Sequence, residues 1–264
     1  MAVNPTLQRL RPLLLGTSGV LAFLGIWEIA SRLNWVNAKY VPPATETLAR
    51  LGGFLSNPHY WDMVGNTLLT WAWGMSMATV AGIVLGTVIG LSSFLRRATR
   101  STIDFLRPIP SVAIIPVAVV LLGPNRGSSL VIVFFACFFV VLIQVLYGVA
   151  DVDPVALDTQ RSFGVGRIRR FFHLVFPTAL PYLMTGIRLA ATVAMILTVT
   201  GELLIGTPGI GRLLQERGNA ADYAGMYATV VTAGLLALAI NVTVRFIERR
   251  VLSWHQSVRG EVLV

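Results

Sequence analysis

The chain has 264 residues, 55% hydrophobic and 12% charged, with a formal net charge of +9 and a mean hydropathy of +0.73. Soluble domains carry about 25% charged residues, so half that fraction excludes an ordinary soluble enzyme and points to a chain that crosses a membrane several times. The positive charge does not signal nucleic acid, because the arginines are scattered between apolar runs instead of gathered on one face.

Residues 1–11 are polar and carry Arg9 and Arg11. The apolar run over 12–30 reads as a first membrane helix. Its rival, a cleaved signal peptide, would need an A-x-A site after the run, and Glu28 interrupts the run's end. Pro42–Pro43 breaks the chain, and 45–54 suits a short amphipathic helix lying at an interface. A second span covers 64–94, with Gly82, Gly86 and Gly90 on one face where a neighbouring helix can approach closely. A basic turn follows (Arg96, Arg97, Arg100). The third span, 103–122, holds Pro108, Pro110 and Pro116, which distort or break a regular helix. Broken backbone at membrane depth is tolerated against protein or a water-filled cavity. Pro110 therefore marks either a simple kink or a helix beside a solute pathway.

Residues 123–129 form a tight loop, and 130–149 a fourth span whose clearest polar intruder is Gln144. A long polar stretch, 151–181, interrupts the hydrophobic half. The fifth span, 179–205, contains Arg188 and Glu202. A Gly-rich segment, 206–223, lacks the Gly-Lys pair of a phosphate loop and reads as a re-entrant turn. The sixth span covers 224–247, and a basic tail follows (Arg249, Arg250, Arg259). The expectation is an all-α polytopic bundle of six transmembrane helices forming a single domain over 1–264, with its core at 60–255.

With both ends inside, fourteen cationic residues fall on inner segments and six on outer ones. That bias favours cytoplasmic termini and a cytoplasmic loop over 151–178. The only lysine, Lys39, lies between Ala38 and Tyr40, so the chain has no Gly-Lys-Ser/Thr nucleotide loop of its own. The single cysteine, Cys137, sits in an apolar run and reads as packing. His59, His173 and His255 lie apart from one another, without metal-ligand spacing, which counts against a membrane enzyme.

The polar loop reads as two short helices. Asp153 caps the first, Pro154 takes its favoured first position, and Gly164 ends it after Ser162 in the left-handed conformation. The second runs from 167 to 176, where Pro177 stops it. Val155, Leu157, Phe163, Phe171 and Phe172 are too apolar for a free loop. They suit a partner surface, the lipid headgroups or packing under the chain's own helices.

Several stretches carry a resemblance. Gly164 is followed by nine residues and then Leu174-Val175-Phe176-Pro177, while Asp158-Thr159-Gln160 stands before the Gly where an E-A-A signature would be. With RPIPSVAIIPVAVVLLG (107–123), FPTALPYLMTGIRLA (176–190) and GELLIGTPGIGRLL (201–214), the chain resembles permease subunits of bacterial ABC importers, in the nitrate/sulfonate/taurine branch. The resemblance implies a type I importer permease fold in the bacterial inner membrane. It also implies a homodimeric pore, two separate ATPase subunits that hold ATP and Mg, and an extracytoplasmic substrate-binding protein. The chain itself would have no cofactor and no catalytic activity. Asp158, Gly164 and Pro177 would belong to the ATPase-coupling element, with Thr159, Gln160 and Arg161 as neighbours in the same segment.

Four residues are candidates for the pathway: Arg188, Glu202, Gln144 and Pro110. Arg188 lies about ten residues into its span, roughly 15 Å deep, where an arginine costs on the order of 3 kcal/mol unless it meets a partner or water. It serves either an anionic substrate or an anchor to another helix. Glu202 either gates the outer mouth or sits in interfacial water. Asn66 and Asn241 suit interhelical hydrogen bonds. The function expected is uptake of a small anion such as a sulfonate, taurine or nitrate. The alternative is a stand-alone secondary transporter or channel, which would work without an ATPase.

Overall fold

The computed structural model describes residues 5–254, with side chains from Leu14 onward. The side chains of Arg9 and Arg11, together with His255 and Arg259, lie outside the described residues. In chain order the helices are α1 (Pro5–Arg32), α2 (Ala44–Phe54), α3 (Pro58–Leu91), α4 (Ser93–Leu106), α5 (Ile115–Leu122), α6 (Arg126–Ala150), α7 (Pro154–Ser162), α8 (Arg167–Arg170), α9 (Phe176–Ile205), α10 (Ile210–Asn219) and α11 (Tyr223–Val251). Among the described residues there is no strand. Five helical segments among the described residues are long and apolar enough to cross a bilayer: Leu14–Arg32, α3, α6, Arg167–Ile205 and α11.

Among the described residues a sixth crossing is made where a bent pair counts as one span, and the bend falls at the prolines expected to distort or break the 103–122 helix. α4 and the Ser111–Leu122 segment meet at 83°. Pro108 and Pro110 withdraw two backbone donors within three residues, and the chain turns there. Pro116 breaks nothing, because it lies in the first turn of α5, where an amide donor has no helical partner anyway. α4 carries Arg96, Arg97, Arg100 and Asp104 and buries none of its residues. That pattern fits a helix lying along a polar boundary better than a span.

Packing divides the chain into two compact units. The larger one, Asp62–Arg212 with Ala233 onward, is built on α6 and α9. They run antiparallel, with Gly148 against Ala179, Gly186 against Gln144 and Gly201 against Ser129. Cys137 donates its thiol to the Ala190 carbonyl at 3.4 Å. Ile132, Val133, Cys137, Val141, Ala190 and Ala194 are almost fully buried. The glycine stripe of α3 lies against a neighbouring face of α6. A Cβ at Gly82, Gly86 or Gly90 would come within 3.0 Å of Val141, Val145 or Val149. Small residues every four positions on one helix thus meet valines every four positions on the next, the close approach that dispersion packing between membrane helices requires. Four threonine hydroxyls of the Arg167–Ile205 span are satisfied locally: Thr178, Thr185, Thr192 and Thr200 each donate to the carbonyl four residues back.

The smaller unit comprises α1, α2 and Leu213–Thr232. Glu28 accepts from the Thr45 amide at 3.0 Å and so closes the start of α2. Asp222 caps α11 by accepting from the Gly225 amide, and Arg50 and Arg217 converge on the same carboxylate at 3.1 and 2.9 Å. Burial alone would raise the Asp222 pKa, but these donors and cations outweigh it and hold it below the usual aspartate range. Tyr60 and Thr232 share a buried hydrogen bond of 2.8 Å.

Both helices expected in the polar loop form, but the second runs on into the following span. α7 forms as anticipated: Asp153 Oδ1 accepts from the Val155 amide at 2.8 Å, Pro154 opens the helix, and Gly164 takes φ +68°. The second helix does not stop at Pro177. It continues from Arg167 through a π-helical stretch, Phe171–Val175, straight into α9. The Phe176 amide reaches back to the Phe171 carbonyl, five residues away. This wider turn gives the Pro177 ring room it would lack in regular α-helix.

Candidate functional site: two cavities on either side of Gln144

Gln144 lies on the face of α6 that packs against α9. Gly186 makes room for it, since a Cβ there would come within 3.0 Å of the Gln144 Cβ. The side chain borders two cavities. The first, about 340 Å³, is lined by Arg107, Ile109, Ser111, Phe135, Ala136, Phe139, Val140, Ile143, Gln144, Tyr147, Leu189 and Val193. It combines one guanidinium, three uncharged hydrogen-bonding side chains and two phenylalanine rings, and no carboxylate lines it. Pro110 is exposed and holds the extended turn between Ile109 and Ser111, so it shapes the rim of this cavity.

The second cavity, about 670 Å³, is lined by Gln144, Asp151, Pro177, Thr178, Pro181, Tyr182, Thr185, Glu248 and Leu252. Its two charged groups are both acidic. Arg188 stands beside it and donates to Glu248 of α11 at 3.3 Å. The arginine thus has a partner sixty residues away, on a different helix. The pair leaves no isolated charge in the span, which is how an ionisable residue is accommodated there.

Glu202 is neither at an open mouth nor in interfacial water, because it is fully buried. Its Oε2 accepts from Thr67 Oγ1 at 2.9 Å and from the Gly211 amide at 3.0 Å. The Thr67 oxygen in turn accepts from the Ile210 amide at 2.8 Å. The first two amides of α10 are therefore capped by side chains from α9 and α3, with a carboxylate at the positive end of the helix dipole. The segment read as a simple re-entrant turn is in fact a turn followed by this capped helix. Gly206, at φ +80°, ends α9, and the absence of a Cβ at Gly209 and Gly211 lets the segment lie directly on α9. Arg126 donates to the Asn66 side chain beside this cluster, an interhelical bond of the kind expected for Asn66.

The six residues expected to couple to a partner sit as follows. Asp158 and Arg161 form an exposed pair at 2.8 Å on α7. Thr159 donates to the Val155 carbonyl. The Gln160 Oε1 is buried without a hydrogen-bond partner. Gly164 lies in open space, and Pro177 opens α9. Of the apolar loop residues, Val155, Phe163 and Phe172 are exposed, Phe163 by 82%, whereas Phe171 packs against the core.

Sequence reasoning missed Arg107, Ser111 and Tyr147 as cavity residues, Thr67 as a cap and Glu248 as the partner of Arg188. Arg107 was legible only as loop charge. The others become legible only once the helices are placed side by side.

Residues 78–253 match the family model described as the binding-protein-dependent transport system inner membrane component. The chain is 27% identical to the taurine transport system permease protein TauC of Escherichia coli (strain K12), covering 96% of this chain and 93% of that protein. It is 26% identical to the nitrate import permease protein NrtB of Synechocystis sp., covering 90% and 88%. It is also 26% identical to the bicarbonate transport system permease protein CmpB of Synechococcus elongatus, covering 93% and 91%. Among solved structures, an inward-facing MetNI methionine ABC transporter chain superimposes with a TM-score of 0.63 at 19% identity, over 74% of this chain and 99% of the other. That likeness concerns the fold.

Proposed function

The chain belongs to the family of binding-protein-dependent transport system inner membrane components, and from that premise we propose that it conducts a small inorganic or organic anion through an ATP-driven importer. The observation that carries this reading is the first cavity. Arg107, Ser111, Gln144 and Tyr147 offer one positive charge and several hydrogen-bonding groups in a space that no carboxylate borders. Oxyanions are held by this combination, a guanidinium with uncharged donors around it. The related permeases for taurine, nitrate and bicarbonate support the same substrate class.

In this reading two copies form the pore, and an extracytoplasmic binding protein delivers the solute. Two separate ATPase subunits supply the energy. α7 is the element that meets the ATPase. It is short and capped at its start, and Gly164 follows it as a hinge. Val155 and Phe163 are exposed for contact. A rigid element of this kind transmits a rigid-body push between partners. Both termini and the α7 loop lie on the cytoplasmic side, as the arginine distribution favours. Arg188, neutralised by Glu248, anchors α9 to α11 and stands outside the anion field.

The test is reconstitution of the chain with its ATPase and binding protein, followed by uptake of labelled taurine, nitrate and bicarbonate. ATP-dependent uptake of one of these is expected. Arg107→Gln and Gln144→Leu should each weaken it, by about tenfold in the substrate concentration needed for half-maximal rate, from the loss of one hydrogen bond to a charged group. Uptake by the chain alone, without any ATPase, would replace this reading with a stand-alone transporter.

A further inference from the structure

Two cavities away from the pathway adjoin one another. The first, about 680 Å³, lies between the α3–α4 turn, α7 and α8. Its lining includes Arg161, Arg167, Arg170, Ser92 and Ser93. The second, about 180 Å³, is an apolar slot between α3, α6 and the start of α9, lined by Ile83, Val145, Val149, Phe172, Leu180 and Leu183 among others. The two share Phe171 and Val175, the ends of the π-helical stretch, which forms the sill between them. No carboxylate lines either space. Arg161 is engaged by Asp158, whereas among the described residues Arg167 and Arg170 have no acidic partner.

Depth identifies the occupant. Ile83 lies eight residues before Leu91 on α3, about 12 Å further along the helix. The slot therefore runs from a basic boundary into the apolar part of the spans, where a soluble protein does not reach and a lipid chain does. Basic pockets between membrane helices suit anionic headgroups. We propose that this pair of adjoining cavities binds one anionic phospholipid, with its phosphate on Arg167 and Arg170 and one acyl chain reaching over Phe171 and Val175 into the slot. Leu157 and Arg161 of α7 border the same basic end, so the bound lipid touches the loop assigned above to ATPase coupling. The choice of leaflet rests on the orientation proposed above, but binding itself does not.

The experiment is native mass spectrometry of the purified full-length chain, without ATPase, exchanged into micelles carrying phosphatidylglycerol or phosphatidylcholine. Phosphatidylglycerol should be retained at least tenfold better. The double variant Arg167→Gln/Arg170→Gln should lose roughly thirty-fold of that affinity, at the usual worth of a basic side chain near an anionic headgroup. Thr87→Trp fills the slot with the arginines intact. It should abolish retention as well, and it decides the matter even if the arginine variant does not fold. Equal retention of the two lipids overturns the proposal, as does displacement of the lipid by inorganic phosphate alone or unchanged retention in Thr87→Trp. Because no transport is read, failure here leaves the importer reading standing, and failure of that reading leaves the lipid site standing.

Discussion

Replacing Gly211 by Ala should loosen α10 from α9. A Cβ at this position falls 2.1 Å from the Val199 carbonyl oxygen, 2.7 Å from the Leu203 amide nitrogen and 2.8 Å from the Glu202 Cβ. Two of these are backbone atoms of α9 and cannot rotate away. Restoring ordinary contact, near 3.5 Å, requires α10 to retreat by more than about 1 Å. The 3.0 Å bond from the Gly211 amide to Glu202 then stretches to roughly 4 Å and is lost. Crowding of a packed interior costs about 1–3 kcal/mol, and a buried donor left unmet costs about 1–3 kcal/mol more. The better helix propensity of alanine returns at most about 1 kcal/mol. The net loss is about 1–6 kcal/mol, or roughly 3–18 °C in thermal midpoint for a chain of this size. The assay is thermal unfolding of the purified chain in detergent, with Gly234→Ala as the control. Gly234 has nothing within 4 Å of its Cβ position, so its replacement should leave the midpoint unchanged or raise it slightly. A Gly211→Ala midpoint within about 1 °C of the parent would refute the capped arrangement, because a loss of even about 1 kcal/mol exceeds that shift.

Gly164→Ala meets no clash, but it places a side chain at φ +68°, a strain of about 1–2 kcal/mol. In the assembled importer it should raise the ATP hydrolysed per solute moved; an unchanged ratio would remove Gly164 from coupling. Arg188→Glu and Glu248→Arg should each lower the thermal midpoint, and the combined swap should recover part of the loss. The coupling should be on the order of 1 kcal/mol, since the Arg188 side chain keeps 35% exposure; strictly additive losses would show that the pair contributes nothing. The depressed Asp222 pKa gives a contribution to stability that is complete above the ordinary aspartate value, near 3.9, and fades as pH falls through the lower folded-state value. Stability measured below about pH 4 should therefore drop less steeply in Asp222→Asn than in the parent, and parallel pH profiles would count against the Arg50–Asp222–Arg217 cluster.

What the sequence determined by itself was local or repetitive. Apolar runs mark the spans because a bilayer accepts only helices that satisfy their own backbone. Asp153, Pro154 and Gly164 specify α7 because capping, helix entry and the left-handed exit are each settled within a few residues. Gly82, Gly86 and Gly90 announce a close helix contact because four-residue spacing holds them on one face, although only the packing shows that Val141, Val145 and Val149 fill it. The tertiary structure decided the rest. Pro177 continues a helix because a π turn precedes it, and the sequence pattern alone reads as a stop. Arg188 finds Glu248 sixty residues away, and Glu202 caps α10 together with Thr67, a residue 135 positions earlier. Such pairings carry no local signal. A buried charge declares that it needs a partner, but which partner it meets depends on the packing of whole helices.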